Sequence, residues 1–193
     1  MTSLEGWGST IELHPRERRV DAVGAAQPTV TALRIRAGGK ITWRPARCAG
    51  MTQIVDSPKD WVAEHIQRYV RTGGQDGHEW RPGVRTLLLT TTGRKSGVSR
   101  RTALIYGRDG EDYVVVASQG GAPTHPSWYL NLTANPRVGV QVGPETFEAE
   151  ASAVTGDRRD RLWASMAQTW PDYDSYAAKT DREIPVVVLH RLG

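Results

Sequence analysis

Two short turns hold the residues best suited to chemistry. Residues 87–97, L-L-L-T-T-T-G-R-K-S-G, run an apolar strand pattern into a turn that carries Arg94, Lys95 and Ser96, closed by Gly97. Two cations, a hydroxyl and the N–H groups of a tight turn form a donor set for an anion. Further along, a second strand pattern at 113–118 ends in Gln119-Gly120-Gly121, where missing side chains let backbone approach a ligand. Together the two turns point to one elongated anionic ligand. A third group, W-P-D-Y-D-S-Y, sets Trp170, Tyr173 and Tyr176 three residues apart, which a short helix ranges along one face and which offers aromatic surface and phenol donors.

These groups need a scaffold, and the apolar periodicity supplies one. A helix is expected near 58–71, with Ser57 as cap and Pro58 at its first position. Strands are expected near 84–92, 99–107 and 112–118, the last two joined by the hairpin signal Arg108-Asp109-Gly110. A short helix at 126–135 stops at Asn135-Pro136, and Val138, Val140 and Val142 then alternate into a turn at Gly143-Pro144. A strand near 145–154, a helix over 157–169, a short Tyr-rich helix and a last strand at 184–192 complete the order. The fold class is mainly β (α+β). Six antiparallel strands in fewer than 150 residues close most economically as a small barrel with peripheral helices.

Length and charge narrow the function. A chain of 193 residues suits one domain with a real core. No run of eighteen apolar residues and no basic-then-apolar start is present, so the expectation is a soluble, cytoplasmic protein. The single cysteine, Cys48, excludes an internal disulfide and a multi-thiolate metal site, and the five histidines lack ligand-like spacing, so no metal is expected. Residues 1–50 carry eight of the 25 cationic and four of the 21 acidic side chains, so the whole formal charge of +4 sits there and the remainder is neutral. A neutral body argues against nucleic acid and for a small anionic ligand. That first segment is rich in Gly and Pro without periodicity, and reads as a poorly ordered extension or a mis-assigned start ahead of Met51, leaving 51–193 as the functional domain.

Four blocks in order, T-T-G-R-K-S-G, A-S-Q-G-G, P-S-W-Y-L-N-L and T-D-R-E-I-P-V-V-V, resemble the deazaflavin-dependent nitroreductase family over about residues 80–192. The resemblance implies a split β-barrel like that of flavin oxidases. It also implies the coenzyme F420, whose reduced form passes a hydride to a quinone, nitroaromatic or other conjugated acceptor. By position in the matching blocks, Arg94, Lys95, Ser96, Gly97 and Arg100 would hold the phosphate and acidic tail. Ala117, Ser118, Gln119, Gly120 and Gly121 would line the ring, with Trp128 and Tyr129 against it. Ser118, Tyr173 and Tyr176 would serve catalysis as hydrogen-bond or proton donors, and Ile105, Trp170, Tyr173 and Tyr176 would meet the acceptor. The chain departs from the family pattern at Trp170, where a tyrosine is common, at Gln119, where a lysine is common, and at Ile105, often aromatic. Plain core packing competes with a ligand role for Trp128 and Tyr129, and a solvated turn competes for Arg94 and Lys95.

The helix at 58–71 carries Trp61, Val62, Ile66, Tyr69 and Val70 on one side. That stripe packs on the barrel or forms a lid or peripheral membrane contact, the latter apt for a lipid quinone. Two other functions remain open: an FMN-using oxidoreductase on the same barrel, and a non-catalytic carrier of a deazaflavin or hydrophobic ligand. A homodimer is compatible with either.

Overall fold

The computed structural model describes residues 54–193. The expectations for residues 1–50 and for a start at Met51 fall outside them. The elements in chain order are β1 (Ile54–Asp56), α1 (Asp60–Arg71), β2 (Glu79–Arg81), β3 (Val84–Thr92), β4 (Ser99–Asp109), β5 (Asp112–Val116), a 3-10 turn (Gln119–Gly121), α2 (Ser127–Ala134), β6 (Arg137–Val142), β7 (Glu145–Val154), α3 (Gly156–Thr169), α4 (Asp172–Ala177) and β8 (Val186–Arg191). Strands β3-β4-β5-β8-β7-β6 pair in that order, all antiparallel, and β6 returns to β3 to close a six-stranded barrel. The expected strands are therefore all present. Two further strands, β1 and β2, are three residues each and too short to leave a periodic signature.

The barrel is split by β4. Its residues 99–105 pair with β3 and its residues 106–109 with β5, so the strand passes from one neighbour to the other. On the second edge, β1 adds in parallel at 99–101, and residues 102–105 pair with β3 alone. An opening thus lies beside the first half of β4, at the end of the barrel where the Arg94 turn leaves β3.

The unbroken apolar run Leu87-Leu88-Leu89 is explained by cover on both faces. Leu87 and Leu89 join the main core inside the barrel, while Leu88 joins Ala103 in a second cluster under α1 with Val62, Ile66 and Tyr69. At roughly 1.5–3 kcal/mol per fully buried large apolar side chain, this stripe is what fixes α1 to the barrel. The expected membrane contact through α1 finds no support, because its stripe is spent on the barrel. Among the described residues no helix is long and apolar enough to cross a membrane. Two local details also differ. The helix begins at Asp60 with Lys59 as its cap residue, and the Ser57 hydroxyl merely accepts the Lys59 N–H at 3.4 Å. Val70 is 40% exposed, and its place in the buried stripe is taken by His65.

A small polar network ties α1 to the sheet. The Tyr69 hydroxyl accepts the Gly143 N–H at 2.8 Å and lies 3.1 Å from the Thr86 carbonyl and 2.9 Å from His78 Nδ1, joining α1, β3 and the β6–β7 turn. His65 Nε2 lies 3.4 Å from the Thr86 hydroxyl. Burial, aided by the Arg68 charge and partly offset by Asp76, lowers the His65 pKa from 6.5 to about 4. The folded state therefore holds His65 neutral where the unfolded chain would protonate it. Its stability is intact above pH 6.5 and falls progressively as the pH drops towards 4, by an amount on the order of 2–3 kcal/mol. Urea midpoints between pH 7.5 and 4.5 should decline more steeply for the natural chain than for His65→Gln, and parallel curves would remove His65 as the cause.

Candidate active site

The Arg94 turn is held by its own hydrogen bonds and by one distant asparagine. Gly93 N–H donates to Val98 O at 2.9 Å, Gly97 N–H to Gly93 O at 2.7 Å, and Val98 N–H to the Ser96 hydroxyl oxygen at 3.3 Å. Ser96 thus shapes the turn. Asn131, buried on α2, accepts the Arg94 N–H at 3.1 Å through Oδ1 and donates from Nδ2 to the Thr91 hydroxyl at 3.2 Å. Arg94 and Lys95 remain exposed on the rim.

Beside that turn lies a cleft of about 490 Å³, in the size range of small-molecule sites. One wall is the segment 55–59, the base is Thr91 with Arg100, Arg101 and Thr102, and the far wall is Gln119 with residues 126–128 and Asn131. Three segments distant in sequence thus deliver Arg100, Gln119 and Trp128 to one space. Arg101 is tied to Asp56 at 2.8 Å, with both side chains about one-fifth exposed, which fastens β1 over the cleft. Arg100 has no carboxylate partner among the described residues and is the cation left for a ligand. Trp128 is 7% exposed, and Tyr129 packs edge-on to it at 6.2 Å and lies tilted against His125 with ring centroids 5.0 Å apart.

The second turn is an unusual piece of backbone. Gln119, Gly120 and Gly121 have φ of 50°, 60° and 82°, three successive left-handed residues of which the first is not glycine. Gly121 lies hard against a helix: a Cβ there would meet the Tyr176 carbonyl oxygen at 2.5 Å and Lys179 Cβ at 2.9 Å. The turn is thereby pressed against α4. Ala117 is fully buried, its N–H donating to Pro185 O at 2.9 Å.

Two hydroxyls in this region are buried without a hydrogen-bond partner among the described residues, Ser118 Oγ and Tyr173 OH. A buried orphan hydroxyl costs about 1–3 kcal/mol and is commonly retained for a ligand or a catalytic role. Burial raises the Tyr173 pKa far above the usual phenol value, so Tyr173 stays protonated. Tyr176 packs edge-on against it at 6.3 Å, with the Lys179 ammonium 5.6 Å from the Tyr176 ring. Ile105 is fully buried in the core. Trp170 stands apart from the cleft lining, 5.4 Å from the Trp80 ring, with the Arg81 guanidinium over both indoles. Neither Ile105, Trp170 nor the two tyrosines line the cleft itself. The arrangement therefore separates an open cation-and-indole cleft from a closed group of aromatics and hydroxyls under α4.

The sequence reading missed Asn131, the Asp56–Arg101 pair, Trp80 with Arg81, and Arg182. Asn131 and Arg182 both sit inside quoted blocks, yet a lone polar residue carries no periodic signal of what it will touch.

This set suits a flat apolar ring with an anionic tail, given an indole wall, an unpaired guanidinium and exposed cations at the rim. Residues 61–191 match the family described as F420H(2)-dependent quinone reductase. An F420H(2)-dependent quinone reductase of Mycobacterium tuberculosis is 44% identical over 130 residues, covering 66% of this chain and 87% of that protein. A solved structure of an F420-H2 dependent reductase (FDR-A) is 42% identical with a TM-score of 0.51, covering 54% of this chain and 93% of the other. Another, described as a domain-swapped dimer, is 41% identical with a TM-score of 0.54, covering 69% and 100%.

Proposed function

The chain belongs to the F420H(2)-dependent quinone reductase family, and on that premise we propose that it reduces a quinone with F420H2, holding the coenzyme in the cleft of Arg100, Gln119 and Trp128. The observation that carries this reading is the convergence of those three residues, from β4, the 3-10 turn and α2, in one cleft. Bound F420H2 supplies a hydride, and the protein's task is to hold donor and acceptor together and steady the charge that develops on the acceptor oxygen. Arg100, with Arg94 and Lys95 at the rim, neutralises the phosphate and carboxylates of the tail. Trp128 gives the ring an apolar wall, and Gln119 offers an uncharged amide beside it. Ser118 and Tyr176 are the hydroxyls assigned to the acceptor oxygen, because the Ser118 hydroxyl has no hydrogen-bond partner among the described residues and Tyr176 is half-buried at the edge of α4. Tyr173, wholly buried and firmly protonated, backs Tyr176 unless α4 shifts. Trp170, half-buried, bounds the acceptor side by the same assignment, whereas Ile105 is closed into the core and supports that side only from behind. A homodimer accords with the relative described as domain-swapped.

Fluorescence titration of the full chain with F420 and with FMN tests the reading. F420 should bind at least tenfold tighter than FMN, since its extra carboxylates give the rim cations more to hold. Addition of a quinone to the complex with F420H2 should then restore the oxidised coenzyme's absorbance. Preference for FMN would sink the coenzyme assignment, and tight F420 binding without turnover would leave a carrier.

A further inference from the structure

Arg182 hydrogen-bonds to groups on both sides of the turn at Gln119–Gly121. Its Nε donates to Ala122 O at 2.8 Å, and its Nη2 to Ser118 O at 2.6 Å and Ala117 O at 3.3 Å. Its Nη1 lies 3.2 Å from His125 Nδ1, whose ring packs tilted against Tyr129. One planar guanidinium thus brackets the turn from both sides and reaches the loop that leads into α2. Inside that bracket, Gln119 holds a left-handed conformation that a residue with a Cβ adopts only when its surroundings enforce it. The geometry points to Arg182 as the positioning residue that enforces it, fixing the backbone from which Gln119 faces the cleft and Ser118 presents its unpartnered hydroxyl. Lysine would not replace it, because an ammonium cannot span three carbonyls and an imidazole nitrogen in one plane.

The inference rests on the reading that this cleft holds F420, and the experiment separates the two. Amide hydrogen exchange of the full chain, without coenzyme, reads the turn directly. In Arg182→Met the peptide covering 117–122 should exchange about tenfold faster or more, while the amides of β6 and β7 keep their protection. Arg182→Lys, the milder variant should the first fail to fold, should fall between. F420 affinity should drop about tenfold in Arg182→Met, and millimolar guanidinium ion should restore part of it. The loss should shrink when Gln119→Gly is already present, because glycine holds the left-handed turn without enforcement. Unchanged exchange at 117–122, or an equal loss with and without Gln119→Gly, would overturn the assignment. A natural chain that does not bind F420 would fail the functional reading instead, and the exchange result would still decide the role of Arg182.

Discussion

Gly121→Ala should lower the melting temperature by about 10 °C. Two costs add. A side chain at φ +82° meets left-handed backbone strain of about 1–2 kcal/mol. Its Cβ also sits 2.5 Å from the Tyr176 carbonyl oxygen, a backbone atom that cannot swing aside, so α4 must move off the turn at about 1–3 kcal/mol more. Together these give roughly 3 kcal/mol, and a domain of this size loses about 2–4 °C per kcal/mol. Gly110 is the control: its φ is +62° but nothing lies within 4 Å of an added Cβ, so Gly110→Ala pays backbone strain alone. Calorimetry of both variants checks the difference. Equal melting temperatures would mean that the close approach of α4 contributes nothing, and the turn would lose its claim to be held by that helix.

Removing the guanidinium of Arg100 should weaken F420 binding by about 10- to 100-fold, the expected loss of a charge-assisted contact of about 1.5–3 kcal/mol. The reason lies in its neighbour. Arg101 is already committed to Asp56, whereas Arg100 lines the same cleft with no carboxylate to answer it. The variant should leave the fold intact, because Arg100 is exposed and makes no bond that the barrel needs. A deazaflavin riboside without phosphate or glutamates separates tail from ring. Arg100→Ala should weaken F420 and leave the riboside nearly untouched. Equal weakening of both ligands would move Arg100 from the tail to the ring.

Much of the architecture was legible because it is periodic. Alternating valines at 138, 140 and 142, the hairpin at Asp109-Gly110 and the apolar run at 87–89 each mark a strand from within a few residues, and all became barrel strands. β1 and β2 were not legible, since three residues make no pattern and their pairing depends on edges that β4 and β3 leave free. The start of α1 was misplaced for a similar reason: Ser57-Pro58 is a sound local cap, but β1 and its Asp56–Arg101 bond hold the chain extended until Lys59. His65 was missed because a histidine on an apolar stripe looks polar until Thr86 and the barrel wall close over it.

What the sequence determined by itself is the class of the fold, the order of its strands along the chain, the cationic turn at 93–97 and the four ordered blocks that mark the family. Each is written in residues that neighbour one another along the chain. The tertiary structure alone decided which cleft cation has no carboxylate partner among the described residues, that Gly121 receives a helix, that Tyr173 is shut away with a hydroxyl unpartnered among those residues, and that Arg182 reaches carbonyls 64 and 65 residues upstream. Those outcomes depend on strand register and barrel closure, which set distances between remote residues. Local periodicity fixes which face a side chain occupies, but not what will stand opposite it.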